Sequence, residues 1–444
     1  MEDLETIFAL SSGSGAAGVA VIRVSGDAVG TVLDRMVPGS APQPRVATLR
    51  TIRDPESSEV LDQGIVLFMP GPKSFTGEDC LELHVHGGRA VTRAVLNALE
   101  KVPGLRVADA GEFTRRAFER GRMDLTSVEG LGELVAAETE AQRKLALRVA
   151  SGALEKIYLD MRGDIVEARA FLESQIDFSD EDDVAEIDTG PVRQKIDSVR
   201  QRIAALLSGA PAGRVIREGF RVVLAGAPNV GKSSLLNYLA GREAAIVAVE
   251  AGTTRDIVEV RLELNGQLVL LQDVAGIREA AGAVEAEGIR RAREALLGAD
   301  LVIALESADA PFPRGALDSV IGTVLKVWAK NDISAEPNDS VMKHEMSISV
   351  KSGVGLAGLT ARLASAAADA AVGIDSVAVH LRHVGWLSAA DMKLAGALSY
   401  LSRDEWEFGA DCLRAATDEL DVLLGRIGVE DVLDVIFSRF CIGK

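Results

Sequence analysis

The sequence predicts a multidomain protein of mixed α/β and α+β class, in which an α/β domain is inserted into a helical domain that follows an α+β domain. Three patterns predict this architecture. Short β-type runs such as residues 18–24 and 64–69 are mixed with Gly/Pro turns near the start. Apolar residues recur at helical spacing over residues 125–207 and again after Val377. Between these stretches, strands alternate with helices, as in a parallel sheet.

The α/β domain is predicted to be an insertion because the last helices are too few to fold alone. About seventy residues of amphipathic helix make a marginal bundle, whereas packing against the helices upstream of the insertion gives a sizeable core. The predicted domains are 1–120 for the α+β domain, 121–217 and 374–444 for the two parts of the helical domain, and 218–373 for the inserted domain.

Composition limits the class of protein. The chain has 444 residues, 48% of them hydrophobic, which suits several globular domains. Its 66 acidic and 48 basic residues give a formal net charge of -18. This charge disfavours tight, unaided, non-specific binding to phosphate backbones or anionic membranes, so a basic partner is expected to help if nucleic acid is the substrate.

The cysteines and the termini indicate a reducing compartment. Cys80, Cys412 and Cys441 have no C-x-x-C spacing, so neither a disulfide framework nor a structural zinc site is supported. The first residues are acidic where a signal peptide would be basic, and no uninterrupted apolar stretch has membrane-spanning length. We therefore expect a cytoplasmic protein with no membrane partner.

The most informative motif is a phosphate-binding loop. Residues 226–233, GAPNVGKS, fit G-x-x-x-x-G-K-[ST], and the apolar run 220–225 before them is typical of a buried strand. In such a loop, backbone N–H groups turn onto phosphate oxygens, Lys232 reaches the terminal phosphates, and the Ser233 hydroxyl ligates Mg²⁺ at a helix amino terminus. The chain is predicted to bind a nucleoside triphosphate.

Two further motifs follow in the order expected of a Ras-like P-loop G domain. The strand-like run 267–272 ends in a D-x-x-G motif at residues 273–276, whose Asp273 holds Mg²⁺ through water and whose Gly276 senses the γ-phosphate. Residues 252–256, GTTRD, fit a first switch in which a threonine hydroxyl completes the Mg²⁺ shell. D-x-x-G alone is common in turns, but three ordered motifs in one domain argue against coincidence.

The base-recognition motif is incomplete. Guanine selection usually depends on N-K-x-D, and residues 329–332 are A-K-N-D. Asp332 can accept two hydrogen bonds from guanine and Lys330 can lie along the base, whereas the missing amide at Ala329 is expected to weaken binding by about 1–2 kcal/mol. Residues 349–351, SVK, fit a base-contacting S-A-K loop with one conservative change. Together these features favour GTP over ATP.

Water activation needs a group other than the usual glutamine, because Ile277 follows the D-x-x-G motif. Asn229 in the phosphate loop can help to bind a monovalent cation beside the β- and γ-phosphates, although on its own it would be interpreted as a loop-stabilising side chain. Glu285 could orient water, although an exposed helix carboxylate is the plainer interpretation.

The chain resembles a known family along essentially its whole length. The segments that carry the resemblance, besides the G-domain motifs, are GVAVIRVSG at 18–26, SFTGED at 74–79, ELHVHGG at 82–88, GEFTRRAF at 111–118, MDLT at 123–126 and FCIGK at 440–444. The chain is similar to the MnmE (TrmE) family of tRNA modification GTPases. The resemblance implies an amino-terminal folate-binding domain that dimerises, a helical domain and an inserted G domain.

The resemblance also implies an activity. By this resemblance, the protein is expected to be a cytoplasmic homodimer that hydrolyses GTP with Mg²⁺ and K⁺. With an MnmG-family FAD protein, in a heterotetramer or larger complex, it adds an aminomethyl or carboxymethylaminomethyl group to carbon 5 of the wobble uridine of certain tRNAs. The carbon comes from a tetrahydrofolate derivative, 5,10-methylene or 5-formyl. The acidic charge suits a partner that carries much of the tRNA contact.

Site residues are implied position by position. The Mg²⁺ ligands match Ser233 and Thr254, the K⁺ ligands match Asn229, Ala248, Glu250 and Thr253, and Glu285 matches the water-orienting carboxylate. The implied GTP contacts are Asn229, Val230, Gly231, Lys232, Ser233, Ser234, Ala248, Val249, Glu250, Ala251, Gly252, Thr253, Thr254, Asp273, Val274, Ala275, Gly276, Lys330, Asp332, Ser349, Val350 and Lys351. Ala329 and Val274 depart from the family pattern, which puts nucleotide affinity in question more than the chemistry.

For folate, the family ligands match Arg23, Glu82, Arg122 and Lys444, of which Arg122 stands where a lysine is common. An arginine suits the glutamyl carboxylate and a carboxylate suits the N–H edge of the pterin. Without the resemblance, all four would be interpreted as surface charges.

The terminal Cys-Ile-Gly-Lys sequence makes Cys441 a catalytic candidate that faces the folate and tRNA chemistry, although a lone cysteine is usually an inert, buried residue. Cys80 and Cys412 are expected to serve packing. His84 and His86 alternate along a predicted strand, where structural histidines are favoured over a two-ligand metal pair. The alternative function is a GTP-gated RNA-binding or ribosome-assembly switch without modification chemistry, or a dimerisation switch without enzymatic output. No appended RNA-binding domain is evident for such a switch.

Overall fold

The computed structural model describes most of the chain in two compact units. It describes residues 5–13, 15–177, 189–241, 246, 259–273, 283–313, 317, 320, 322–336, 343–372, 379–428, 430–438, 440 and 442–443. The first unit comprises Met1–Gly132, Val149–Arg169 and Asp411–Lys444. The second unit comprises Glu133–Arg148 and Ala170–Ala410.

The first unit is built on a six-stranded sheet. Its strands are β1 (Thr6–Leu10), β2 (Ala17–Ser25), β3 (Thr48–Arg53), β4 (Val60–Met69), β5 (Cys80–Gly87) and β6 (Leu105–Val107). The spatial order is β3-β4-β5-β2-β1-β6, and all neighbours are antiparallel except β1 and β6. Alternation along β2 and β5 buries one face, with Ile22 and Leu83 in the core, and turns Arg23 and Glu82 to the other.

Helices cover the buried face of this sheet. The chain's helices are α1 (Val29–Met36), α2 (Arg89–Glu100), α3 (Glu112–Glu119), α4 (Leu125–Ala136), α5 (Glu140–Ala150), α6 (Ala153–Asp177), α7 (Gly190–Glu218), α8 (Lys232–Ala240), α9 (Ala283–Leu297), α10 (Leu356–Ala370), α11 (Leu381–Leu401), α12 (Trp406–Leu423) and α13 (Glu430–Ser438). In α2, Val95, Ala98 and Leu99 recur at helical spacing and pack into the sheet core.

The second unit contains a mostly parallel sheet. Its strands are β7 (Phe220–Gly226), β8 (Glu259–Leu264), β9 (Gln267–Asp273), β10 (Leu301–Glu306), β11 (Thr323–Trp328) and β12 (Met346–Ser347). The order is β12-β11-β10-β7-β9-β8, and only β8 is antiparallel to its neighbour. The carboxyl ends of β7, β9, β10 and β11 therefore meet at one edge, where ligands bind in sheets of this kind.

In each unit, a helix that precedes the parallel sheet in the chain packs against a helix that follows it. In the second unit, Arg200 of α7 pairs with Asp391 of α11 at 2.8 Å. In the first unit, Arg162 of α6 pairs with Asp421 of α12 at 2.7 Å. The predicted mixed fold class with an inserted domain is thus confirmed, whereas the three predicted domain boundaries stay predictions. Within the described helices, none combines the length and the apolar composition needed to span a membrane.

Candidate functional site

The phosphate loop connects β7 to α8 through a backbone that few residue types tolerate. Gly226 has φ 154° and Gly231, which caps α8, has φ 110°, while Asn229 has φ 63°. A Cβ atom on Gly226 would lie 2.5 Å from the carbonyl oxygen of Leu305 in β10. Glycine is therefore required at Gly226 for space as well as for φ. The loop leads directly into a helix amino terminus, which suits an anion.

Lys232 is folded over this loop. Its side chain is 4% exposed, and its ammonium donates to the carbonyl oxygens of Gly226 at 2.9 Å and Ala227 at 2.8 Å. A buried ammonium needs such acceptors to offset the loss of hydration. The same ammonium is within reach of phosphate oxygens that enter the loop, because it is anchored by the residues that form it.

Two oxygen ligands suited to Mg²⁺ converge next to the loop. The Ser233 hydroxyl donates to the carboxylate of Asp273, which ends β9 and is 4% exposed, over 3.0 Å. Mg²⁺ prefers hard oxygen donors and keeps several of its waters. Ser233 and Asp273 fit one direct ligand and one ligand through water. Thr254, the other predicted ligand, lies outside the described residues.

A cavity of about 280 Å³ opens at the base-recognition end of the sheet edge. Its lining is mainly apolar and comes from the phosphate loop, the end of β10 and the two base-contacting loops: Val230, Gly231, Ser234, Leu305, Ala329, Lys330, Asp332, Ile333, Ile348, Val350 and Lys351. A mainly apolar chamber with few polar groups is typical of a heterocycle site. The predicted phosphate and base residues thus border one another.

Asp332 is oriented as a hydrogen-bond acceptor. The buried Ser349 hydroxyl donates to its Oδ1 atom at 2.6 Å. This hydrogen bond, with the charges of Lys351 and Lys330, holds the pKa of the Asp332 carboxyl below its ordinary value. The ionised carboxylate is the form suited to accept two hydrogen bonds from N–H donors such as those of guanine. Lys330, with φ 55°, pairs with Asp309 at 2.6 Å, and that contact lowers the pKa of Asp309.

The loop that carries Asp332 is held mainly by backbone and aromatic contacts. Ala329 is 5% exposed and donates its N–H to the Glu306 carbonyl at 2.7 Å. The Trp328 indole N–H donates to the Ser334 carbonyl at 2.9 Å. The His344 ring packs edge-on against Trp328, with centroids 5.3 Å apart.

His344 completes this support, and sequence analysis missed it. Its Nδ1 atom lies 2.7 Å from Glu336, and this contact lowers the pKa of that carboxyl. Trp328 could have been suspected because it precedes the base motif. Nothing in the sequence spacing indicates His344.

A second cluster lies on the face of the first unit's sheet opposite to the one that α2 covers, where Phe113 of α3 packs. Arg23 and Glu82 are cross-strand partners on β2 and β5, and the guanidinium donates to Glu82 Oε1 at 2.9 and 3.2 Å. The guanidinium also lies over the rings of Phe75 at 5.1 Å and Phe113 at 5.7 Å. His84 Nε2 is 3.1 Å from the other Glu82 oxygen. Burial opposes ionisation of Glu82, yet Arg23 and His84 hold its pKa below the ordinary value.

The remaining folate candidates are Arg122 and Lys444. Arg122 is exposed and its backbone N–H donates to the Ala117 carbonyl at 2.8 Å. Lys444 and Cys441 lie outside the described residues. Their neighbour Gly443 accepts a hydrogen bond from the Ser11 hydroxyl at 2.8 Å, just past β1, where Ala9 pairs with Arg23. His84 and His86 share a face of β5, but the described residues contain no group of three metal-ligating side chains.

The following lie outside the described residues: Ala248, Val249, Glu250, Ala251, Gly252, Thr253, Thr254, Val274, Ala275, Gly276, Cys441 and Lys444. The side chain of Glu285, which falls within α9, is likewise not described. Their roles in K⁺ binding, water orientation and one-carbon chemistry stay predictions.

Two family descriptions match the chain. Residues 6–122 match the GTP-binding protein TrmE N-terminus, and residues 125–441 match the MnmE helical domain. The second match spans the whole α/β sheet, in agreement with an inserted domain.

Relatives that match the chain over nearly its full length share the same name. The tRNA modification GTPase MnmE of Brucella anthropi is 44% identical over 99% of this chain and 98% of its own length. The proteins of that name from Parvibaculum lavamentivorans and Rhizobium meliloti are each 46% identical over the full relative, covering 99% and 100% of this chain respectively. With both family matches and these identities, the chain belongs to the MnmE family of tRNA modification GTPases.

Proposed function

We propose that this GTP hydrolase acts with an MnmG-family FAD protein to add an aminomethyl or carboxymethylaminomethyl group to carbon 5 of the wobble uridine of certain tRNAs. The observation that carries the proposal is the 44–46% identity over nearly the whole chain to tRNA modification GTPases. The phosphate loop, the Ser233–Asp273 pair and the Asp332 carboxylate supply the GTPase part of that role.

GTP hydrolysis requires that each part of the nucleotide meet a fixed group. The loop N–H groups and Lys232 bind the phosphates, and Asp332 binds the base. Mg²⁺, when bound, neutralises charge that develops between the β- and γ-phosphates. Ser233 and Asp273 hold its place through their oxygens. Because Ile277 cannot orient water, that task is assigned to Glu285.

A monovalent cation is proposed to replace an arginine finger. Asn229 is exposed at the turn of the phosphate loop, in a left-handed conformation. An amide oxygen at this turn is suited to ligate K⁺ beside the β- and γ-phosphates. Ala248, Glu250 and Thr253 are proposed as its further ligands, in part through backbone carbonyls.

The Arg23–Glu82 pair is proposed to bind a tetrahydrofolate derivative. The pair fits this ligand because it offers a cation for the glutamyl carboxylate, an ionised acceptor for the pterin N–H edge and two aromatic rings. The homodimer would place two such sites in one molecule. Cys441 and Lys444 are proposed to act there because Gly443 is anchored beside β1.

Titration calorimetry with 5-formyltetrahydrofolate tests the folate part of the proposal. We expect binding that does not depend on GTP, and at least about a tenfold loss in Arg23→Ala, because a charge-assisted contact contributes about 1.5–3 kcal/mol and Glu82 would lose its partner. Arg35→Ala is the matched control, since it removes an exposed arginine of the same unit from α1. Absence of binding to the unsubstituted protein would refute the assignment.

Cys441→Ser separates binding from chemistry. Serine preserves size but is far less nucleophilic than a thiolate at neutral pH. We expect folate binding to remain while tRNA modification in a mixture with the flavoprotein partner is lost. Full modification by the Cys441→Ser protein would return this cysteine to a structural role.

A further inference from the structure

The first unit carries a cluster of exposed cations around one tight loop, residues 71–79. The loop folds back on itself, since a Cβ atom on Gly71 would lie 2.8 Å from the carbonyl oxygen of Gly77. The Gly71 N–H also donates to the Asp79 carboxylate at 2.9 Å. The loop is therefore a compact platform, and its fold brings the residues around it close together.

Four cationic side chains surround this platform. Lys73 belongs to the loop, and the Arg45 guanidinium donates to the Lys73 carbonyl. On the other side, a Cβ atom on Gly77 would lie 3.3 Å from Arg120 Cδ and 3.4 Å from Arg122 Cγ, so both stems rest against the turn. Arg45, Lys73, Arg120 and Arg122 are all exposed. We refer to these four residues as the cationic rim.

The charge of the rim is only partly balanced. Glu78 pairs with Arg120 at 2.7 Å. The same carboxylate also pairs with the buried Arg116 at 3.2 Å, so Arg116 already neutralises its charge. Among the described residues, no carboxylate pairs with Arg45, Lys73 or Arg122. A surface whose positive charge is only partly balanced stands out in a chain of net charge -18. It is a local exception to the field that repels polyanions elsewhere.

The rim borders the Arg23–Glu82 pair. Phe75, which lies in the same loop two residues after Lys73, places its ring 5.1 Å from the Arg23 guanidinium. A base that receives a carbon at the pair must bring its own sugar and phosphates to the edge of that site. Cations at this edge would meet those phosphates.

We propose that the cationic rim binds the sugar–phosphate backbone of the tRNA substrate and positions it beside the Arg23–Glu82 pair. The proposal rests on the proposed function, because the modification is assigned to that pair. Long, solvated cations spaced around a loop suit repeated phosphates and bridging water. A protein partner would instead need an apolar or aromatic centre to the surface, and the rim side chains provide none.

Fluorescence anisotropy with an unmodified tRNA transcript tests the rim. The test protein is the full chain with Arg45→Gln and Lys73→Gln, which leaves the predicted folate ligand Arg122 in place. Each phosphate contact contributes about 0.7–0.9 to the slope of log K against log salt. We therefore expect the slope to fall by about 1.5 and the affinity at low salt to fall about tenfold or more.

The matched control is Arg89→Gln with Arg93→Gln on α2. This pair also removes two exposed cations from the first unit, and the described residues include no carboxylate partner for either. The control should bind tRNA as the unsubstituted protein does. An equal loss in both double variants would mean general electrostatics and would overturn the rim, as would an unchanged slope in the rim variant or no tRNA binding by the unsubstituted chain.

Calorimetry with 5-formyltetrahydrofolate on the same variants separates the rim from the proposed function. The rim variant should bind this folate as well as the unsubstituted protein does. A folate that binds no form of the protein, combined with tRNA binding that depends on the rim, would refute the folate assignment and leave the rim standing. Loss of folate binding in the rim variant with unchanged tRNA binding would overturn the rim and assign Arg45 and Lys73 to the folate site.

Discussion

Asp332 and Ala329 are proposed to set the strength of guanine binding together. Asp332 is kept ionised by the Ser349 hydroxyl, so its acceptor function is intact. Ala329 lines the same cavity but has no side-chain hydrogen-bonding group. Guanine selectivity should therefore persist with reduced affinity.

Restoring the amide should strengthen nucleotide binding. Ala329→Asn is expected to lower the Kd for GTP by up to about tenfold, the equivalent of about 1.4 kcal/mol for one recovered hydrogen bond. Ala329→Val, which adds bulk without an amide, should bring no gain. Calorimetry with GTP and ATP measures both affinity and selectivity. An unchanged Kd in Ala329→Asn would indicate that Asn331 already compensates.

The K⁺ hypothesis also concerns single residues. GTP turnover should be faster in KCl than in NaCl, and Asn229→Gly should abolish the difference. Glycine is the better substitute because it tolerates the φ of 63° at this position, where alanine would add strain. Equal rates in both salts for the unsubstituted protein would rule out the cation.

Glu285→Ala should slow GTP turnover with nearly unchanged nucleotide affinity.

At the scale of helices and strands, the loops around the nucleotide site show what sequence can and cannot predict. The phosphate loop was predictable because strand, turn and helix are contiguous and each residue type has a local reason. The pairing of Arg23 with Glu82 depends on the antiparallel register of β2 and β5, which no local pattern specifies. His344 reaches Trp328 only through tertiary packing, so neither its role nor that of Glu336 could be derived from spacing.

Trp328 should be a positioning residue for the loop after β11. Trp328→Phe keeps an aromatic ring against His344 but removes the hydrogen bond to the Ser334 carbonyl. We expect the Kd for GDP to rise about fivefold, the equivalent of about 1 kcal/mol. Trp386→Phe on α11, whose indole is partly exposed, is the control and should leave the Kd unchanged. A purely structural role for Trp328 would lower the unfolding temperature without altering the Kd.

At the scale of the whole molecule, the sequence predicted an acidic multidomain chain with an inserted GTPase. The mixed fold and the insertion follow from patterns that extend over tens of residues, in which single errors average out. The cationic rim does not follow from the net charge, because Arg45, Lys73 and Arg122 are distant in sequence and only the folded loop collects them. A -18 chain can thus still present a local phosphate-binding surface.

The most direct test of the proposed function is mass spectrometry of nucleosides from the tRNA of cells that lack this protein. We expect 5-aminomethyl and 5-carboxymethylaminomethyl uridines, together with nucleosides derived from them, to disappear from the wobble position. A copy of the unsubstituted gene should restore them, whereas Lys232→Ala, which removes the ammonium anchored over the phosphate loop, should not. An unchanged nucleoside profile in cells without the protein would contradict the proposed tRNA modification.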